Sequence, residues 1–226
     1  MVENVLEWES KLWSYVSSSD GEHCPLHSDC QGRQWGGVCY DENRELVKSL
    51  LEDHRFELKD YDFIKPETGC RMLQLVEMLA QQWQLRGRVY QLPVPNELVS
   101  LADEAHPIEV RFVPLKTHHG ATWCLSEGWV IQLRKNDSSA RKRLTLFHEA
   151  FHILTHCKAT PVFRGKRPAK NFFNELLADC FAACILMPRE WVQERWAEVH
   201  DLDRMAELFD VPKPAMCANL KRLGLI

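Results

Sequence analysis

The sequence lacks several features that would place it in a particular class of proteins. It has no excess of positive charge, since 28 Lys and Arg residues stand against 32 Asp and Glu residues and give a net charge of −4. No basic field therefore draws the whole chain to nucleic acid or anionic lipid. No stretch reaches the ~18 consecutive apolar residues of a membrane span, and Glu3 stands where a secretory signal needs a basic residue. We therefore expect a globular protein of the cytoplasm that has no membrane partner.

Cysteine, in contrast, is plentiful, because the chain has nine of these residues. Thiols stay reduced in the cytoplasm, so disulfides do not account for them. Cys24, His27, Cys30 and Cys39 offer four ligands within a short segment, and this donor set suits a closed, structural site for a second Zn²⁺. A loop with incidental cysteines explains the same residues equally well, and both interpretations stay open.

Hydrophobic periodicity divides the chain into helical and extended parts. Helical spacing of the apolar residues predicts helices over 2–17, 68–86, 139–156, 171–186, 189–199, 202–209 and 212–223. Apolar alternation and short apolar runs predict three strands, over 108–115, 121–125 and 129–133. The expected fold is α+β, with a small antiparallel or mixed sheet packed on the helix over 139–156.

Three domains are expected along the chain: a helical N-terminal extension over 1–89, a core over 90–200 and a C-terminal bihelix over 201–226. The bihelix is similar to a helix-turn-helix. Its second helix begins with only one basic residue, Lys213, where a DNA-reading helix carries several polar and basic side chains. We therefore expect it to pack or to dock on a partner, and we do not expect direct nucleic-acid binding.

The predicted helix over 139–156 contains the motif His148-Glu-Ala-Phe-His152. Residues four apart lie on one face of a helix, ~6 Å apart along its axis, so the two imidazoles can share one metal ion. Glu149 can then lean toward a water on that metal and move its proton, as in zinc proteases. The alternative is a pair of solvent-facing or capping histidines.

A catalytic zinc needs a third protein ligand and one open position. His156 lies ~12 Å from His148 along the helix axis, too far to share the ion. Glu175 and Asp179 are spaced by four on the next predicted helix, so Glu175 can bind the metal while Asp179 accepts the ring N–H of a ligating histidine. A solvated acidic patch is the alternative to this site.

Residues from about 90 to 226 resemble the ImmA/IrrE family of metallo-endopeptidases. The resemblance lies in residues 143–156, which hold the histidine motif, and in residues 175–188, which run from the Glu through Ala178, Phe181 and Ala182 to a Leu-Met-Pro ending. It implies a zincin-like core and a substrate that joins a sheet edge as an added strand. It also implies that His148, His152 and Glu175 bind zinc, with Glu149 as catalytic base. The first 90 residues are outside the resemblance.

The resemblance also implies a regulatory role, because members of the family cleave or inactivate helix-turn-helix repressors. The expected function is that of a zinc-dependent endopeptidase whose substrate is a protein such as a transcriptional repressor. The alternatives are a metal-binding regulator that does not cleave its partner, and a DNA-binding protein that uses the C-terminal bihelix.

Two further parts of the active site can be sought in the sequence. The strand just before the motif helix is expected to be the edge that receives the substrate, and it consists of Trp129, Val130, Ile131, Gln132 and Leu133. The group that stabilises the negative charge on the substrate carbonyl oxygen stays open among His118, His119, Arg141 and Arg143.

Overall fold

The computed structural model describes residues 5–18, 71–158 and 172–226, and these residues form a mixed α+β structure. The predicted Cys24, His27, Cys30 and Cys39 cluster lies outside the described residues. Among the residues that are described, no helix combines the length and the apolar content that crossing a bilayer requires.

Three strands form one mixed sheet: β1 (Ile108–Val113), β2 (Gly120–Leu125) and β3 (Gly128–Arg134), in the order β1-β3-β2. β3 pairs in parallel with β1 and antiparallel with β2. The strand predicted over Trp129–Leu133 is therefore the centre of the sheet, and its assignment as the substrate-facing edge is wrong. Its backbone is already paired on both sides, so no further strand can join it. Within the part of the chain that the structure describes, the outer strands of the sheet are β1 and β2.

The motif helix lies against this sheet and contacts β2 and β3. In the numbering used from here on, α1 is Val5–Ser18, α2 is Arg71–Arg86, and the motif helix is α3, Ser139–Lys158. Its start is capped by the Ser138 hydroxyl, which accepts a hydrogen bond of 3.2 Å from the Arg141 backbone N–H. The predicted apolar stripe is buried at Phe147, Phe151 and Leu154, and this burial fixes which side of α3 carries its histidines.

The next helix, α4 (Phe172–Leu186), is buried on nearly all sides between α2 and α3. A helix that is buried in this way must be apolar around its circumference, and most side chains of α4 are apolar. Phe181 packs against Trp83 of α2 and Phe151 of α3, with ring centroids 4.9 Å and 5.4 Å apart. α2 and α3 therefore hold α4 in place from both sides, and with it the acidic side chains that α4 carries.

The remaining helices complete the same hydrophobic core. α1 packs on α2 and α3 through Trp8, Leu12 and Trp13. A 3₁₀ helix, Asn96–Ala102, covers another part of α3. The domain division at residue 89 stays a prediction, although α2 contributes to the core on which α4 lies.

Three short helices form the C-terminal part: α5 (Arg189–Val199), α6 (Leu202–Phe209) and α7 (Lys213–Arg222). Val211, Met216 and Leu220 are buried in this part of the chain. The Lys213 ammonium lies 2.7 Å from the Asp203 carboxylate. This ion pair neutralises the one basic residue at the start of the second helix of the bihelix.

A buried acid joins three of these helices. Glu77 of α2 accepts two hydrogen bonds from the Arg189 guanidinium of α5, at 2.9 Å and 2.7 Å. It also accepts one of 3.4 Å from Arg222 of α7. Burial opposes ionisation of Glu77, but the two guanidinium groups outweigh it and hold its pKa below the ordinary value of 4.5.

We expect Glu77→Gln to lower the free energy of unfolding at neutral pH by about 3 kcal/mol, because it leaves two partly buried guanidinium groups without a counter-charge. Since the folded pKa is lowered, this stabilisation is present above the ordinary pKa of 4.5 and is lost as the pH falls below it. Urea unfolding at pH 7 and at roughly pH 3 should show the difference between wild type and variant shrinking. Glu104→Gln, which removes an exposed pair with Arg86, is the control. Equal effects of the two substitutions would contradict the prediction.

Candidate metal centre

His148, His152 and Glu175 converge where α3 faces α4. His148 Nε2 lies 3.0 Å from His152 Nε2 and 3.2 Å from Glu175 Oε2. His152 Nε2 lies 3.4 Å from the other oxygen of Glu175. Within the described part of the chain, these three residues are the one group of histidine, cysteine or acidic side chains whose ligand atoms all lie within 4.8 Å of one another.

The spacing of these atoms fits a tetrahedral zinc ion. Zn²⁺ binds imidazole nitrogen and carboxylate oxygen at ~2.0–2.2 Å, and tetrahedral geometry then places neighbouring ligand atoms ~3.3 Å apart. The observed separations lie around this value: 3.0 Å between the two Nε2 atoms, 3.2 Å from His148 Nε2 to one oxygen of Glu175, and 3.4 Å from His152 Nε2 to the other. Two imidazoles and one carboxylate are also the donor set of several catalytic zinc sites that keep a fourth position open.

Asp179, one turn after Glu175 on α4, orients the first histidine. His148 Nδ1 donates a hydrogen bond of 2.7 Å to Asp179 Oδ1. The proton on Nδ1 leaves the lone pair of Nε2 directed toward His152 and Glu175, which is the arrangement that a metal-binding imidazole needs.

The electrostatics of the centre favour a positive charge between the three side chains. Burial opposes protonation of His148, but the Asp179 and Glu175 carboxylates outweigh it and raise the pKa of His148 well above its ordinary value. Burial likewise opposes ionisation of Glu175, but His152 and His148 outweigh it and lower the pKa of Glu175 far below its ordinary value. The cluster therefore stabilises a cation at its centre.

Glu149 lies beside this centre and is held by the edge strand β2. Its carboxylate is buried and accepts a hydrogen bond of 2.6 Å from the Thr122 hydroxyl. Gly120 approaches so closely that a Cβ there would lie 2.8 Å from Glu149 Oε1 and 2.5 Å from a methyl group of Thr145. Sequence analysis missed both β2 residues, because only the pairing of the strands shows that they face α3.

A cleft of about 240 Å³ opens over these side chains, and its walls include His118, His119, Arg141, Glu149, Glu175 and Asp179. Arg143, the fourth candidate for the oxyanion site, does not line it. The Arg143 guanidinium is buried and donates a hydrogen bond of 2.7 Å to the Val94 carbonyl. It also lies 3.2 Å from the Asp210 carboxylate, so it ties α3 to the segments around it.

Residues 103–221, just over half of the chain, match the peptidase family described as the IrrE N-terminal-like domain. The chain belongs to this family. The resemblance seen in the sequence is thereby confirmed: the chain is a member of the IrrE N-terminal-like family. All three residues of the metal centre, together with Glu149 and Asp179, lie within the matched part of the chain.

One solved structure that is similar to this IrrE-like chain is a Mycobacterium tuberculosis transcriptional regulator, with a TM-score of 0.52 and 12% sequence identity. The match covers 78% of this chain and 51% of that one, so the chain spans about half the length of that structure. At this identity the likeness shows the fold alone. Comparison with curated proteins gives no match.

Proposed function

We propose that the chain is a zinc-dependent endopeptidase with a zincin-like core, in which His148, His152 and Glu175 hold the metal. The observation that carries this proposal is the convergence of the two imidazole Nε2 atoms and the Glu175 carboxylate at separations of 3.0–3.4 Å, next to the buried carboxylate of Glu149. An acidic surface patch or a pair of solvent-facing histidines would not bring His148, His152 and Glu175 together in this way, with Glu149 in the same cleft as His148 and Glu175.

A bound Zn²⁺ would polarise the substrate carbonyl and lower the pKa of a water molecule. Glu149 would carry the proton in this reaction: its carboxylate would take the proton that the attacking water loses and would pass it to the amide nitrogen of the leaving group. Thr122 bonds to one oxygen of this carboxylate, which fixes its orientation and leaves the other oxygen for proton transfer.

We assign the substrate edge to β2 in place of β3. Among the described strands β2 is paired on one side only, and its residue Thr122 bonds to Glu149. His119 and Gly120, where the strand begins, line the cleft. A peptide that adds to this edge as a further strand would pass the Glu149 carboxylate. The substrate is then an extended segment of a protein, and the family resemblance favours a helix-turn-helix repressor.

Removal of the metal is expected to abolish cleavage of an unfolded protein such as casein, or of a candidate repressor. Treatment with 1,10-phenanthroline followed by gel filtration should reduce the cleavage rate to background, and added Zn²⁺ should restore it. Metal analysis before and after treatment accompanies the rate measurement. Cleavage that persists in a sample shown to hold no metal would contradict the proposal. Tight metal binding without cleavage of any substrate would favour the non-proteolytic regulator.

A further inference from the structure

His119, which lines the cleft and is not one of the three residues of the metal centre, forms a pair with Asp137. His119 Nδ1 donates a hydrogen bond of 2.6 Å to Asp137 Oδ2. The Asp137 side chain is only 13% exposed, whereas that of His119 is 43% exposed. A buried acid thus holds one nitrogen of a ring whose other side is accessible.

The backbone on both sides of this pair is fixed by the end of β3. The His119 carbonyl accepts a hydrogen bond of 2.8 Å from the Arg134 N–H, and the Asp137 N–H donates one of 3.2 Å to the Arg134 carbonyl. Both partners are therefore anchored to one residue of the central strand. The position of the imidazole is determined before any substrate binds.

The pair is also close to the reacting groups. His119 lines the same cleft as His148, Glu149 and Glu175. Its neighbour Gly120 lies against the Glu149 carboxylate. A ring attached one residue before this contact point can reach the carbonyl of a peptide that lies along β2.

On this basis we propose that His119, oriented by Asp137, donates a hydrogen bond from Nε2 to the substrate carbonyl oxygen and stabilises the negative charge that develops there. Nε2 has no partner among the described residues. In a protonated imidazole both nitrogens are donors. Such a preorganised donor stabilises the transition state more than the bound substrate. This inference rests on the proposed function.

The other candidates lack this preorganisation. Arg143 is bound to the Val94 carbonyl, away from the cleft. His118 and Arg141 line the cleft, but neither side chain has a hydrogen-bond partner among the described residues that would fix its orientation. Of the four residues considered, His119 alone combines a place in the cleft with a buried positioning partner.

The inference is tested with peptide kinetics on metal-loaded protein. His119→Ala should lower kcat by about 100-fold, with KM and metal content little changed. His119→Gln keeps an N–H donor near the position of Nε2, so its kcat should be only about 10-fold lower than that of wild type. The kcat of Asp137→Asn should lie between those of wild type and His119→Ala, because this substitution weakens the contact that orients the ring but keeps the ring. His106→Ala removes the exposed histidine of another His–Asp pair, with Asp103, outside the cleft; it is the matched control and should leave kcat unchanged.

A second measurement separates transition-state stabilisation from a structural role. A peptide phosphonamidate, whose charged oxygen mimics the developing oxyanion, should bind His119→Ala more weakly by the same factor as kcat/KM falls. Wild-type kcat in His119→Ala, alongside inactive Glu149→Gln, would overturn the inference and leave the proposed function standing. A wild-type chain that is metal-loaded and cleaves nothing would overturn both.

Discussion

Replacement of Glu149 by glutamine is expected to lower kcat/KM for peptide hydrolysis by about 10³-fold and to leave the metal content unchanged. The amide oxygen of glutamine can still accept the hydrogen bond that Thr122 donates to Glu149, so the side chain keeps its place. It cannot accept a proton from the attacking water. Since Glu149 is not one of the three converging ligands, metal binding does not depend on it.

Steady-state kinetics and metal analysis of the same preparation test this expectation. Glu127→Gln, in the exposed turn between β2 and β3, provides a control of identical chemistry. Peptide hydrolysis that survives in Glu149→Gln would remove Glu149 from the mechanism. Inactivation of a repressor in cells that survives the same substitution would show that the protein acts without proteolysis.

The elements and the grouping of His148, His152 and Glu175 could be predicted because they depend mainly on local geometry. Two histidines four residues apart share a face on any helix, so the sequence brings His148 and His152 together without tertiary information. The same spacing on the next helix selects Glu175 and Asp179. The strands follow from apolar alternation, and the structure places them within a few residues of the predicted bounds.

The order of the strands could not be predicted in this way. β3 follows β2 through a short turn, which explains their antiparallel pairing, but the parallel pair with β1 joins residues that are distant in sequence. No local pattern encodes that second pairing. Trp129–Leu133 was assigned to the edge because it precedes α3, and the parallel partner places it inside the sheet.

The contacts around the ligands were missed for the same physical reason. Thr122 reaches Glu149 only because β2 lies across α3. His119 meets Asp137 only because both are fixed to Arg134 at the end of β3. Arg143 is next to the active motif in sequence, yet the helical rotation directs it to Val94. Which polar side chains reach the cleft therefore depends on packing between elements.

Removal of the carboxylate at Glu175 is expected to have the second large effect, because it leaves only the two histidines of α3 as protein ligands. Glu175→Gln should bind Zn²⁺ far more weakly than wild type and show no detectable hydrolysis at equal metal concentration. Asp179→Asn retains all three ligands and loses only the acceptor of the His148 ring N–H. Its metal affinity should fall by roughly 10–100-fold.

The order of the affinities decides between the roles of the two acids. Competition with a chromophoric zinc chelator measures all variants on one scale, and Glu190→Gln, an exposed acid at the start of α5, controls for loss of negative charge. Because the Glu175 side chain is 43% exposed while its apolar neighbours on α4 are buried, the substitution keeps the packing of α4, and the metal-free variant should stay folded. Wild-type affinity in Glu175→Gln would exclude Glu175 as a ligand. A loss of zinc affinity in Asp179→Asn as large as the loss in Glu175→Gln would mean that Asp179 itself binds the metal.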